Sequence, residues 1–183
     1  LGKFRGAGVT RLHRKIADPL ATRGELANAT LEIEAGFLAL GDTPSVERGW
    51  LHLARGRVAL RNNQLGEAQE DGEAALRIFQ QVGDISGQAD ACAELGWITG
   101  HSGATDSQGS PLVEQYYKEA LRLVEPLADA RLAGRLHVLA AERAYYHAWG
   151  VDRLREHLDA ADALVKRASD PILSRQLLIM RAT

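Results

Sequence analysis

The amino-acid sequence predicts an all-α fold in which antiparallel helix pairs stack into a right-handed superhelix. Three observations predict it. Apolar residues recur at spacings of three and four, the period of a helix with one buried face, as in Leu65, Ala68, Ala75, Leu76, Phe79 and Val82. The same period runs through Tyr117, Ala120, Leu121, Val124 and Leu127, and through Leu154, Leu158, Ala161, Leu164 and Val165. Small residues return about every 40 positions: Ala29 and Ala68, Gly36 and Ala75, Gly56 and Gly96, Ala120 and Ala160. Each break between periodic segments carries the Gly, Asn, Asp, Ser or Pro that a turn requires.

The elements follow in order. Helices are expected over roughly 9–22, 25–40, 45–61, 65–82, 86–101, 111–128, 130–149, 151–168 and from 171 onward. The pairs are 9–40, 45–82, 86–128 and 130–168, with a terminal helix over 171–183, all in one repeat domain spanning 1–183. Pro19 is expected to break or kink the first helix, since it lacks the N–H of an interior position. Asp170 before Pro171 reads as cap and first helical residue. Gly56 and Gly96 weaken their helices by about 1 kcal/mol relative to Ala, so close packing is their expected reason. Ala75 and Ala120 lie further apart than the period. An insertion in the polar stretch 104–110 accounts for the excess, and 102–110 is expected to be the most mobile internal segment.

Charge and composition exclude several classes. The formal net charge of −2 argues against nucleic acid as a direct partner, because phosphate binding needs excess Lys and Arg. Cys92 is the single cysteine, so no internal disulfide forms, and a cytoplasmic setting is expected. No run of about 18 apolar residues occurs, so no membrane span is expected. Residues 1–10 lack the apolar centre of a signal peptide.

Motifs of catalysis or cofactor binding are also missing. No HExxH, CxxC, Gly-rich phosphate loop or paired nucleophile and base is found. His137, His147 and His157 are spaced at ten, which does not place them on one helical face. Neither catalytic residues, nor a metal site, nor a cofactor is expected. Cys92, beside Ala91 and Leu95, reads as a buried structural thiol.

Residues 116–127, YYKEALRLVEPL, resemble the second helix of a tetratricopeptide repeat, with aromatic, Ala and Pro at that family's spacing. Residues 83–98, GDISGQADACAELGWI, resemble the turn and first helix of its longer-period type seen in bacterial regulators. Residues 55–79 fit as well through Gly56, Ala59, Leu65, Ala68 and Ala75, though Asn63 stands where Gly is usual and Arg55 where Leu is usual. The resemblance is best over about 45–127. It implies that first helices line a concave groove, and that Trp50, Arg57, Arg61, Trp97, His101, Glu142, Tyr145 and Tyr146 face a partner there. Trp, Tyr and Arg carry most interface energy, and Arg57 with Arg61, one turn apart, could grip a carboxylate or phosphate. Leu53 and Arg57 stand where a chaperone-type carboxylate clamp needs Lys and Asn, so that ligand is not expected.

The implied function is a regulatory or scaffold module binding a protein or peptide. It would be the sensory segment of a larger bacterial signalling protein, such as a transcriptional regulator or a cyclic-dinucleotide enzyme. The alternative is a stand-alone adaptor or assembly factor. Ile172, Leu173, Leu177, Leu178 and Met180 fall in a terminal helix without a second helix to cover them. From this the native chain is expected to continue past Thr183, and this form to pair with a second copy through that helix.

Overall fold

The computed structural model describes residues 2–101, 111–146 and 150–182, with side chains from residue 6 onward. Among these residues every regular element is helical: α1 (Gly2–Thr22), α2 (Leu26–Leu40), α3 (Val46–Arg61), α4 (Leu65–Val82), α5 (Ile85–His101), α6 (Pro111–Val124), α7 (Ala130–Tyr146), α8 (Val151–Ala168) and α9 (Pro171–Ala182). A single 3₁₀ turn, Glu125–Leu127, follows α6. The expected mobile stretch 102–110, and His147 with Trp149, lie outside the described residues. None of the described helices is long and apolar enough to cross a membrane.

Two boundaries differ from the sequence reading for physical reasons. Helix α1 begins at Gly2 and runs unbroken through Pro19. Its early glycine has a packing role: a Cβ at Gly6 would sit 3.0 Å from the Ala39 carbonyl oxygen of α2. Pro19 is exposed and only one turn of helix follows it, so the lost hydrogen bond falls at a solvated end. At the other boundary, α6 stops at Val124 because Pro126 tightens the chain into the 3₁₀ turn and Ala128 takes a left-handed φ of 51°. The remaining ends are set as read. Ser45 caps α3 through Arg48 N–H, and Asp170 Oδ1 accepts from Ile172 and Leu173 N–H at 2.9 and 3.1 Å. Asn63, in the glycine position of the α3–α4 turn, adopts φ 60°, a conformation Asn tolerates better than other side chains.

The chain divides into two compact units, Leu1–Glu94 and Leu95–Thr183, with the division inside α5. In the first unit α1 packs on α2 and α3 on α4. Gly49 of α3 meets Phe79 of α4, while Gly56 further along α3 meets Ala68 and Asp71, so the pair is antiparallel. Ala17, Ala21, Ala29, Ile33, Leu51, Ala54 and Val58 form one core, and Leu53, Ala75, Phe79 and Ala91 another. Phe79 is wholly buried, and a Cβ on either Gly49 or Gly87 would overlap its ring, at 2.6 and 2.4 Å. Two glycines on α3 and α5 thus make the slot for the one large aromatic of α4.

In the second unit α7 packs on α8, and Val138, Ala161, Val165, Leu173 and Leu177 form its core. Gly96 of α5 packs against the Tyr117 ring of α6, where a Cβ would come within 2.9 Å. The expected role of Gly56 and Gly96 in close packing is therefore what the helices show. In α8 the small-residue register is one position later than read, since Ala161 is fully buried and Ala160 only partly.

Ion pairs repeat with the helices. Arg11 of α1 holds Glu47 of α3, Arg57 of α3 holds Glu94 of α5, and Arg131 of α7 holds Asp170 of α9, at separations of 36, 37 and 39 residues. Each links the first helix of one pair to the helix that opens the next.

Candidate functional site

The first unit carries three of the expected partner-facing residues, all on α3. Trp50 is half-buried, edge-on to Phe79 at 5.3 Å, with the Arg14 guanidinium 5.5 Å from its ring centre. Arg57 is half-buried and its Nε donates to Glu94 Oε1 at 2.5 Å. Arg61 is exposed. Arg57 and Arg61 line one cavity of about 230 Å³ whose floor is Ala17, Ala21, Ile33 and Ala54, with Asp18 at its side. The two arginines do share a face, but one is already committed to a carboxylate of its own chain.

A larger cavity of about 690 Å³ opens on the other side of α3, among Glu34, His52, Arg55, Glu67, Glu70 and Asp71. Its centre is Asp71, which accepts from His52 Nδ1 at 2.8 Å and from Arg55 Nε and Nη2 at 2.9 and 2.8 Å. Burial alone would push the Asp71 carboxyl up; the hydrogen bonds from His52 and Arg55 outweigh it and hold the group below its ordinary range. Arg55 also lies over Phe37 at 4.8 Å. Arg55 thus stitches α3 to α4 by charge.

In the second unit, Trp97 and His101 sit one turn apart on α5, and Glu142, Tyr145 and Tyr146 end α7. His101 is exposed; its Nδ1 donates to the Trp97 carbonyl at 2.8 Å and its ring tilts against the indole at 4.9 Å. Tyr145 and Tyr146 are 47% and 65% exposed and pack edge to face, an arrangement that leaves two phenol rings at the surface.

The residue that binds these together was not singled out in the sequence. Arg143 is buried, with its guanidinium centred 3.5 Å over Trp97 and 5.3 Å from Tyr146. Among the described residues its nearest carboxylate, Glu142, is 3.8 Å away, beyond hydrogen-bond range, and its Nε is enclosed with no partner. Desolvation pulls the guanidinium below its ordinary pKa. An indole face contributes about 2 kcal/mol to a desolvated cation, and the carbonyl end of a helix about 0.5 kcal/mol. Removing an ion from water costs several kcal/mol, so this charge is under-compensated as it stands. A signal was present: Leu136, Ala140 and Arg143 fall on one face at the helical period, so the arginine had to point inward with them.

His137 and His157, dismissed on their spacing along the chain, are brought together because α7 and α8 fold back on each other. Their Nδ1 atoms are 3.1 Å apart with ring centres at 5.3 Å. At that distance two neutral rings share a hydrogen bond, one Nδ1–H donating to the other Nδ1. Among the described residues no three His, Cys, Asp or Glu side chains gather as a metal centre needs. Compared with known proteins, the chain matches no protein-family model and no curated protein.

Proposed function

We propose that this chain is a protein-binding module of the tetratricopeptide type, its helix pairs stacked into a right-handed superhelix. It acts in the cytoplasm as the regulatory segment of a larger bacterial signalling protein, such as a transcriptional regulator or a cyclic-dinucleotide enzyme. It takes a protein or peptide on the exposed faces of its first helices and performs no chemistry itself. Association of two copies through α9 belongs to the same reading.

One observation carries the binding assignment. The end of α7 presents Tyr145 and Tyr146 to solvent, with the Tyr146 ring 5.3 Å from the buried Arg143 guanidinium that lies over Trp97. Those are the residue types that anchor interfaces, and a monomeric surface gains nothing by exposing paired aromatics. The ion pairs at 36, 37 and 39 residues support the repeat period.

Affinity capture with the intact protein tests the reading. Partners held by the wild type should be lost by Tyr146→Ala and Arg61→Glu and kept by Leu38→Glu, which alters an exposed side chain of a second helix. Equal loss in all three variants, or in none, would remove the first-helix faces as the binding surface.

A further inference from the structure

We propose that Arg143, framed by Trp97 and Tyr146, is the receptor for a single carboxylate carried by a partner peptide. The inference rests on the protein-binding reading only for the source of that carboxylate. Its own footing is the state of the guanidinium. Arg143 makes no side-chain hydrogen bond among the described residues, its Nε has no partner, and Glu142 stands too far off to supply one. Trp97 covers one face of the guanidinium at 3.5 Å. What remains for a ligand is the edge, where the N–H donors form a planar fork matched to the two oxygens of a carboxylate.

Charge decides between oxyanions. With Glu142 3.8 Å from the guanidinium the two side chains already sum to zero charge, so every further negative charge weakens binding and a monoanion is favoured over a dianion. A phosphate dianion would bring a second negative charge into the same desolvated space with no partner for it. Only 4% of the Arg143 side chain reaches solvent, so a ligand enters when Tyr146 swings aside. Tyr146 is the last residue of α7 and 65% exposed, which leaves its ring free to do so.

The test follows the arginine Nε–Hε resonances of the full chain by NMR. The probes are acetate, a doubly blocked tripeptide with one Glu, and an unblocked-C-terminus tripeptide without acids, against sodium phosphate and sodium chloride at matched ionic strength. The resonance that disappears in Arg143→Met should move saturably with the carboxylates, and with phosphate only at about tenfold higher concentration or not at all. The two peptides distinguish a side-chain carboxylate from a chain end. Glu142→Gln, which removes the competing carboxylate and leaves the guanidinium native, should tighten acetate binding roughly threefold; it also carries the test if Arg143→Met fails to fold. Carboxylates that move the resonance no more than chloride, phosphate that binds more tightly, or an unchanged Glu142→Gln would each overturn the proposal. If partner capture survives Arg143→Met, the site falls and the module reading stands. If acetate binds at Arg143 and no partner is captured, the reverse holds.

Discussion

Arg57 of α3 and Glu94 of α5 meet at 2.5 Å across 37 residues of chain, in the middle of the face expected to bind a partner. The pair is about one quarter to one third exposed, so solvent does not fully screen it. Arg57→Glu should therefore lower stability by about 2 kcal/mol, because it leaves two carboxylates facing each other. Adding Glu94→Arg should recover most of that loss, the signature of a direct coupling. Arg61→Glu should change stability by less than about 0.5 kcal/mol, since Arg61 is exposed. Denaturant midpoints for the four proteins check this, and equal losses for Arg57→Glu and Arg61→Glu would contradict it. Arg61 is in consequence the cleaner probe of binding.

Phe79 fixes the α3–α4–α5 packing through Gly49 and Gly87. Gly87→Ala should destabilise by roughly 1–3 kcal/mol, because backbone or ring must shift to admit a methyl group. Phe79→Leu in the same chain should lessen the penalty of Gly87→Ala while costing stability alone. Additive effects in thermal melts would show that the glycine and the ring do not touch.

Much of this architecture is legible in the sequence, and the reason is local. Leu65 to Val82 carries its period, its turn residues and its small positions within one stretch, and α4 spans those residues. Asp170 and Pro171 are adjacent and mark a helix start without help from elsewhere. What escapes the sequence depends on register between helices. The contact between His137 and His157, the slot that two glycines make for Phe79, and the placement of Arg143 on Trp97 each join positions that only the folded-back chain brings together. The candidate site divides the same way. Its exposed members, His101, Tyr145 and Tyr146, are named only through the repeat resemblance, whereas the buried cation among them shows only when Trp97 and α7 are seen side by side.

Asp71 should be a keystone of the α3–α4 pair. Removing it in Asp71→Ala leaves Arg55 and His52 without their carboxylate, and the expected loss is about 3 kcal/mol. Since its folded pKa lies below the ordinary value, this stabilisation is present above about pH 4 and is lost as pH falls through the lower folded value. Acid denaturation should start at higher pH in Asp71→Asn than in the parent. Superimposable acid curves would show that Asp71 is energetically silent.

The His137–His157 pair should make stability fall in mild acid. Burial, and then the charge of His157, depress His137 to about 4, against an ordinary imidazole value of 6.5. The unfolded chain therefore takes up its proton first. The contribution is fully present above about pH 6.5 and is lost as pH drops toward 4. The pair is partly exposed, so after screening about 1 kcal/mol is expected rather than the full value of the shift. His137→Asn should flatten urea midpoints between pH 7 and 4.5; a slope as steep as the parent's would assign the effect elsewhere.

The terminal helix separates folding from association within one turn. The sequence leaves α9 without a second helix, so that the preceding pair covers one side of it alone; α9 buries Leu173 and Leu177 against Val138, Ala161 and Val165 and leaves Ile172, Leu178 and Ile179 at 66%, 68% and 54% exposure. The reason is helical phase: residues four apart share the inner face, and their neighbours point away. Leu177→Lys should thus cost roughly 3–5 kcal/mol by burying an unpaired charge. Leu178→Lys should leave the melting temperature within about 2 °C, because it alters only an exposed position. If two copies pair through α9, the outer triad must make the contact, for only it is free. Light scattering should then show dimer in the parent and monomer in Leu178→Lys, with Leu177→Lys lowering the melting temperature whatever the association state. A Leu178→Lys protein that stays dimeric, or a parent that is monomeric at high concentration, would remove α9 as a pairing surface and leave its inner face as part of the fold alone.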